Sequence, residues 1–159
     1  MPIALTSDQV WKALQREIFA VLATVNARGQ PRTAGIVYTV KDRVLYIATG
    51  LTSFKARNVA RDPHVSLTVT VGKRIPFLPW IKIPPATITF QGLASLRPAD
   101  SVGADLRKLL LRGLKVEGQS LADLGFIEVT PAGEFVTYGG GVPLMAMRVP
   151  EAARGRARV

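Results

Sequence analysis

The 159-residue sequence has no cysteine and one histidine. Without thiols there can be no disulfide, no thiolate zinc site and no cysteine nucleophile, and nothing in the composition points to an oxidising compartment. The lone His64 opens a strand-like run after Pro63 with no second histidine beside it, so no metal site is expected. A Ser-His-Asp triad would have to use that histidine, yet no G-x-S-x-G elbow accompanies it. Acidic residues are also scarce: 11 Asp and Glu stand against 21 Lys and Arg, a formal charge of +10. Such a surplus favours anionic partners, whether nucleic acid, an anionic membrane or small phosphorylated molecules. No apolar run is long enough to span a bilayer. The opening "MPIALTSDQVWKALQREIF" reaches Asp8 before any apolar stretch behind basic residues forms, so it does not read as a signal peptide. A cytoplasmic protein is expected. The remaining composition, 48% hydrophobic and 20% charged, suits one domain over 1–159 with a substantial core.

Periodicity divides the chain into a helix at 7–17, barrel strands over 19–96, a helix at 99–113, a closing hairpin at 125–138 and a tail at 139–159. Thr6 or Ser7 can cap the first helix, which buries Val10 and Leu14. "FAVLATV" is apolar and β-branched, and "NARGQP" has the chemistry of a hairpin turn. In "RTAGIVYTV", Ala34, Ile36, Tyr38 and Val40 share one face. "HVSLTVTV" alternates in the same way, and "ATITFQGLASL" continues as a strand with Gly92 read as a bulge or bend. "GFIEVTP" and "EFVTYG" are expected to close as a hairpin around "AG". The tail "EAARGRARV" reads as a solvated, basic end. Strands arrive as meanders rather than alternating with helices. The expected fold is mainly β with peripheral helices, an antiparallel split barrel of about six to seven strands.

The chemistry concentrates at "TGLTSFKARNVARDPHVSL". Pro63 limits the helix here to Phe54 through about Arg61. Ala56, Val59 and Ala60 can face the body, leaving Lys55, Arg57, Asn58 and Arg61 for the outside or for a ligand. Lys55 falls in the first turn, where the macrodipole disfavours a cation by about 0.3–1 kcal/mol. A bound phosphate would reverse that cost, since free N–H groups, the Thr49, Thr52 and Ser53 hydroxyls and the Lys55 ammonium all favour an anion. A merely solvated basic face fits the local sequence equally well.

The ordered set "LATV-N-x-x-G-x-P", "T-x-x-x-S-x-K-x-R-N" and "D-P-x-V", running from Val10 to about Leu96, resembles the pyridoxamine 5'-phosphate oxidase-like family of flavin-binding split barrels. The resemblance implies a homodimer holding flavin mononucleotide, FMN, at the subunit interface, or an 8-hydroxy-5-deazaflavin coenzyme with the same ring and ribityl phosphate. It places Lys55 on the phosphate, with Ala48, Thr49, Ser53, Arg57 and Asn58 around it. It sets Thr33 to Tyr38, including Ile36 and Val37, along the ring and ribityl chain, and Thr87 near a family glutamine unless Gln91 takes that role. Phe54 stands where many oxidases carry a second basic residue. The tail lacks the arginine and histidine arrangement that holds the substrate phosphate in the true oxidase, so vitamin B6 oxidation is not expected. The implied activity is an oxidoreductase acting on another small organic molecule. A carrier without turnover is the alternative, and no side chain is assigned a catalytic role.

The loop "GKRIPFLPWIKIPP" combines apolar residues, Trp80 among them, with Lys73, Arg74 and Lys82. It is expected to pack across a dimer interface and roof the cofactor, with an interfacial membrane contact as the alternative. A nucleic-acid-binding barrel fits the charge, but the sequence lacks a basic strip interleaved with exposed aromatics.

Overall fold

The structure, a computed structural model, describes residues 5–73, 80, 84–111 and 121–159. Helix α1 (Ser7–Arg16) begins at Thr6, whose Oγ1 accepts from the Gln9 N–H at 3.3 Å while Gln9 Oε1 accepts from the Thr6 N–H at 2.8 Å. This reciprocal pair satisfies donors that the first turn would otherwise leave open. The helix buries Val10, Trp11 and Leu14 against the barrel.

Eight antiparallel strands follow: β1 (Phe19–Val25), β2 (Pro31–Val37), β3 (Thr39–Lys41), β4 (Val44–Gly50), β5 (His64–Val71), β6 (Ala86–Pro98), β7 (Leu124–Tyr138) and β8 (Arg154–Arg158). Helix α2 (Phe54–Arg61) links β4 to β5, α3 (Ala104–Leu111) lies between β6 and β7, and the short α4 (Pro150–Ala153) precedes β8. The sheet order is β2-β1-β5-β6-β7-β4-β3, with β8 added to β7. Its two end strands, β2 and β3, are one run of chain interrupted only at Tyr38. A single bent segment therefore pairs β1 with its first half and β4 with its second, and the sheet curls into a barrel with a split at the bend.

The alternation seen in the sequence fills the barrel. Leu22, Leu67, Val69, Phe90, Ile127, Val129 and Phe135 are all at most 2% exposed. Phe135 sits edge-on to Trp11 at 5.4 Å and to Phe90 at 5.3 Å, which ties α1 to the barrel interior. A smaller cluster of Ala99, Val102, Leu106, Leu124 and Phe126 docks the α3 region, with Tyr46 and Ala48 of β4 packed against it. The β3–β4 connection is a two-residue turn with positive φ at Asp42 (51°) and Arg43 (61°), the primed geometry that matches strand twist.

Four expectations are corrected. Residues 125–138 do not form a hairpin: both halves run along β6 as one strand, from Pro98↔Gly125 to Thr87↔Tyr138. The "AG" signal is a bulge instead, since two β6 steps from Thr89 to Gln91 are matched by four on β7, with Gly133 at φ +79°. Gly92 is not that bulge. It pairs regularly on both sides, and its lack of a side chain permits close packing, because a Cβ there would lie 2.8 Å from the Thr130 carbonyl oxygen. Finally, the tail is not simply solvated. Its backbone forms β8 with Gly155 and Ala157 buried, leaving the side chains of Arg154, Arg156 and Arg158 exposed. With β2 and β3 counted as the one bent run they form, the sheet has seven strands, as expected. The helix expected over 99–113 is a 3-10 turn at Ala99–Ser101 followed by α3, with 112–113 outside the described residues.

Candidate functional site

Helix α2 is set by its caps. Ser53 Oγ accepts from the Ala56 N–H at 3.2 Å, and Thr49 Oγ1 lies 2.9 Å from Ser53 Oγ. The two hydroxyls engage each other and the helix end, with Thr49 only 5% exposed. At the far end the Asp62 N–H donates to the Asn58 carbonyl at 2.8 Å before Pro63 stops the helix.

Successive helical residues turn about 100°, so Lys55 and Arg57 point about 200° apart. The helix therefore serves two clefts. On one side Lys55 meets a cleft of about 440 Å³ lined by Ile18, Gly35 to Thr39, Ala48, Leu109 and Leu110. This is the place where β2 parts from β4. On the other side Arg57, Asn58 and Arg61 line a more open cleft of about 590 Å³ with Asn26 to Arg28, Gln30, Arg32 and Phe54. Phe54 stands between the two: the Arg32 guanidinium is 5.5 Å and the Lys55 ammonium 5.8 Å from its ring centre.

The structure thus brings Ile36, Val37, Tyr38, Ala48 and Lys55 to one cleft and leaves the other expected residues out of it. Asn58 is expected outside and is found buried, its amide donating to Thr24 Oγ1 at 3.0 Å, while Ala60 takes the exposed position. Thr49 and Ser53 act on the helix end that carries Lys55. Thr87 is paired with Thr70 and Tyr138 in β6, beside a small cavity of about 150 Å³ near α1. Trp80 is 73% exposed, and most of the 72–85 loop lies outside the described residues. Four lining residues, Ile18, Thr39, Leu109 and Leu110, carry no motif. They reach the cleft through the bend at Tyr38 and the docking of α3, which only tertiary structure reveals.

The chemistry of the cleft is sparse. Its wall is apolar, with Ile18 68%, Val37 64% and Leu109 50% exposed around it. Of its described lining residues only Lys55 and Tyr38 ionise. Tyr38 is unavailable: its hydroxyl donates to the Leu14 carbonyl at 2.8 Å, and burial, aided by Glu17, pushes its pKa well above the usual phenol range. The Lys55 ammonium meets no carboxylate among the described residues. The arrangement can hold an anionic group beside a flat apolar body, with Lys55 as the one ionisable group left free among the described lining residues. Among the described residues no group of histidine and carboxylate side chains could hold a metal, and no helix is long and apolar enough to cross a membrane.

Solved structures share this fold at low identity. An F420 reductase is 24% identical, with 78% of this chain and 93% of that one covered and a TM-score of 0.57. An FAD-binding protein from Mesorhizobium loti is 18% identical, covering 80% and 90%, with a TM-score of 0.62. A heme-binding protein from Mycobacterium smegmatis is also 18% identical, covering 83% of this chain and 53% of its own, with a TM-score of 0.62. No curated protein matches the sequence. The sequence does match a family over residues 6–137, most of its length, and by that match the chain belongs to the pyridoxamine 5'-phosphate oxidase family.

Proposed function

We propose that the chain binds a flavin-type cofactor, FMN or the 8-hydroxy-5-deazaflavin coenzyme, in the cleft at the barrel split and acts as an oxidoreductase on a small organic molecule other than pyridoxamine phosphate. The observation that carries this reading is the convergence of an unpaired Lys55 with the apolar wall of Ile36, Val37 and Ala48 in one cleft. Such a donor set fits a ribityl phosphate joined to a tricyclic ring. Lys55 would hold the phosphate by a charge-assisted contact. β2, an end strand of the sheet, leaves backbone donors and acceptors on its free edge that suit the alternating polar edge of the ring. The ring, when bound, supplies the hydride chemistry, so the protein need only bind and orient it and exclude water. Among the described lining residues no carboxylate or histidine stands beside Lys55, which suits that division of labour.

A homodimer is part of this reading. Apart from His64 at the start of β5 and Arg97 near the end of β6, the latter paired with Glu128, the outward faces of β2, β1, β5 and β6 include Thr33, Gly35, Val37, Phe19, Val21, Ala23, Ser66, Thr68, Thr70, Thr87 and Thr89. None of these bears a charge, in a chain whose formal charge is +10. A second copy on that face would cover Phe19 and Val37, 45% and 64% exposed, and would bring Thr87 toward the partner's cleft.

The test begins with absorption spectra of the purified protein titrated with FMN and with the deazaflavin. Saturable binding of either supports the cleft assignment, and no binding of both removes it. Anaerobic stopped-flow mixing with nicotinamide donors, or with reduced deazaflavin, then decides turnover. Bleaching within seconds marks an oxidoreductase; a bound ring resistant to every donor marks a carrier.

A further inference from the structure

We propose that the arginine cleft behind Phe54 is a second ligand site, separate from the Lys55 cleft, and takes a small multivalent anion of the di- or triphosphate class. Arg28, Arg32, Arg57 and Arg61 all line it, and among the described residues no acidic one does. Three exposed arginines elsewhere pair with carboxylates, Arg43 with Asp8 at 2.7 Å, Arg156 with Glu134 at 3.1 Å and Arg97 with Glu128 at 3.4 Å, whereas Arg16, Arg148, Arg154 and Arg158 stand apart from one another in sequence and line neither of the two clefts. None of the four cleft arginines pairs with a carboxylate among the described residues. Four guanidiniums around one cleft repel one another, and a ligand carrying several negative charges would convert that repulsion into attraction.

The walls are built in advance. Asn26 fixes the β1–β2 turn: its Oδ1 accepts from the Arg28 and Gln30 N–H groups at 2.9 and 3.0 Å, and its Nδ2 donates to Gln30 Oε1 at 3.0 Å. Arg61 is anchored by a 2.6 Å bond from Nη2 to the Val25 carbonyl, which leaves its other N–H groups for a ligand. Asn58, buried below, clamps α2 to β1 through Thr24. Arg57 and Arg61 stand one helical turn apart and face the cleft together. A rigid fork of donors suits phosphate oxygens better than a lone ammonium does. The cleft is bounded by one turn and one short helix, which suits a compact anion rather than an extended strand.

Calorimetric titration of the full chain with inorganic tripolyphosphate at low salt tests this, alongside monovalent inorganic anions as a charge control. Saturable tripolyphosphate binding is expected, weakened roughly tenfold or more by Arg57→Gln and again by Arg32→Gln, and unchanged in Lys55→Ala. The Arg57→Gln protein should still bind FMN like the parent, which keeps this site distinct from the cofactor reading. Loss of tripolyphosphate binding in Lys55→Ala equal to that in the arginine variants would place the anion in the first cleft and overturn the proposal. So would no binding at all, or tight binding of a long oligonucleotide without any of tripolyphosphate. Should Arg32→Gln unfold the turn, Arg57→Gln with an unchanged melting temperature still decides the matter.

Discussion

The two sides of helix α2 differ more than their shared sequence suggests. On one side a single ammonium faces an apolar wall; on the other, Arg57 and Arg61 join Arg28 of the β1–β2 turn and Arg32 of β2 around an open, polar cleft. Both sets come from the eight residues "FKARNVAR". A basic run on a helix is thus two chemistries, sorted by the rotation between neighbours and divided here by the Phe54 ring. One cleft sets a single cation against an apolar wall, and the other gathers four guanidiniums.

The strongest way to break the comparison is to remove the scaffold beneath both clefts. Phe135→Ala, at a fully buried position touching Trp11 and Phe90, should cost about 3–5 kcal/mol in urea denaturation and abolish ligand binding on both sides together. Next, Lys55→Ala should weaken FMN binding by about 1.5–3 kcal/mol, the range for a charged hydrogen bond, with the melting curve unchanged. Arg57→Ala should leave FMN affinity within about 0.5 kcal/mol of the parent in the same fluorescence titration, the usual size of a surface effect. Equal losses in the two variants would merge the clefts into one site.

A smaller effect is expected at Asn58, the residue that holds α2 in place between them. Asn58→Ala removes the bond to Thr24 and should lower stability by about 1–3 kcal/mol, read from chemical denaturation, while Lys55 keeps its ligand. The smallest effect lies at the exit of the helix. Asp62 accepts from the His64 N–H at 3.0 Å, and that bond, with the contact to the His64 ring, holds its carboxyl below the usual range. A depressed carboxylate pKa stabilises the fold above the unfolded value, and the contribution fades as pH falls through the folded one. His64→Ala keeps the backbone donor, so an NMR titration should show the Asp62 pKa rising only part of the way to normal.

Much of the architecture was legible because strand alternation and turn chemistry are local. "LATV", "HVSLTV" and the Pro63 stop each report on their own backbone, and β1, β5 and α2 lie where the pattern puts them. The hairpin at 125–138 misled because Gly133 sits in a positive-φ bulge whose residues look the same as a turn. Whether a chain reverses or merely kinks depends on the strand beside it, here β6. Asn58 misled for a similar reason: a polar side chain on a helix reads as exposed until Thr24, 34 positions earlier, supplies its partner. The arginines at 28 and 32 joined the site only through the folded β1–β2 turn.

The bend at Tyr38 has a bearing on which molecules the first cleft can admit. Its N–H donates to the Ile18 carbonyl at 3.0 Å and its hydroxyl to Leu14, so the corner where the barrel parts is bolted at two points. That wall cannot yield to a larger guest without breaking both bonds. The opposite wall is Leu109 and Leu110, carried by a helix that rests on a small separate cluster. Divergence in guest size among proteins built on this plan should therefore be written into α3, whereas the corner acts as a fixed ruler against which every guest is measured.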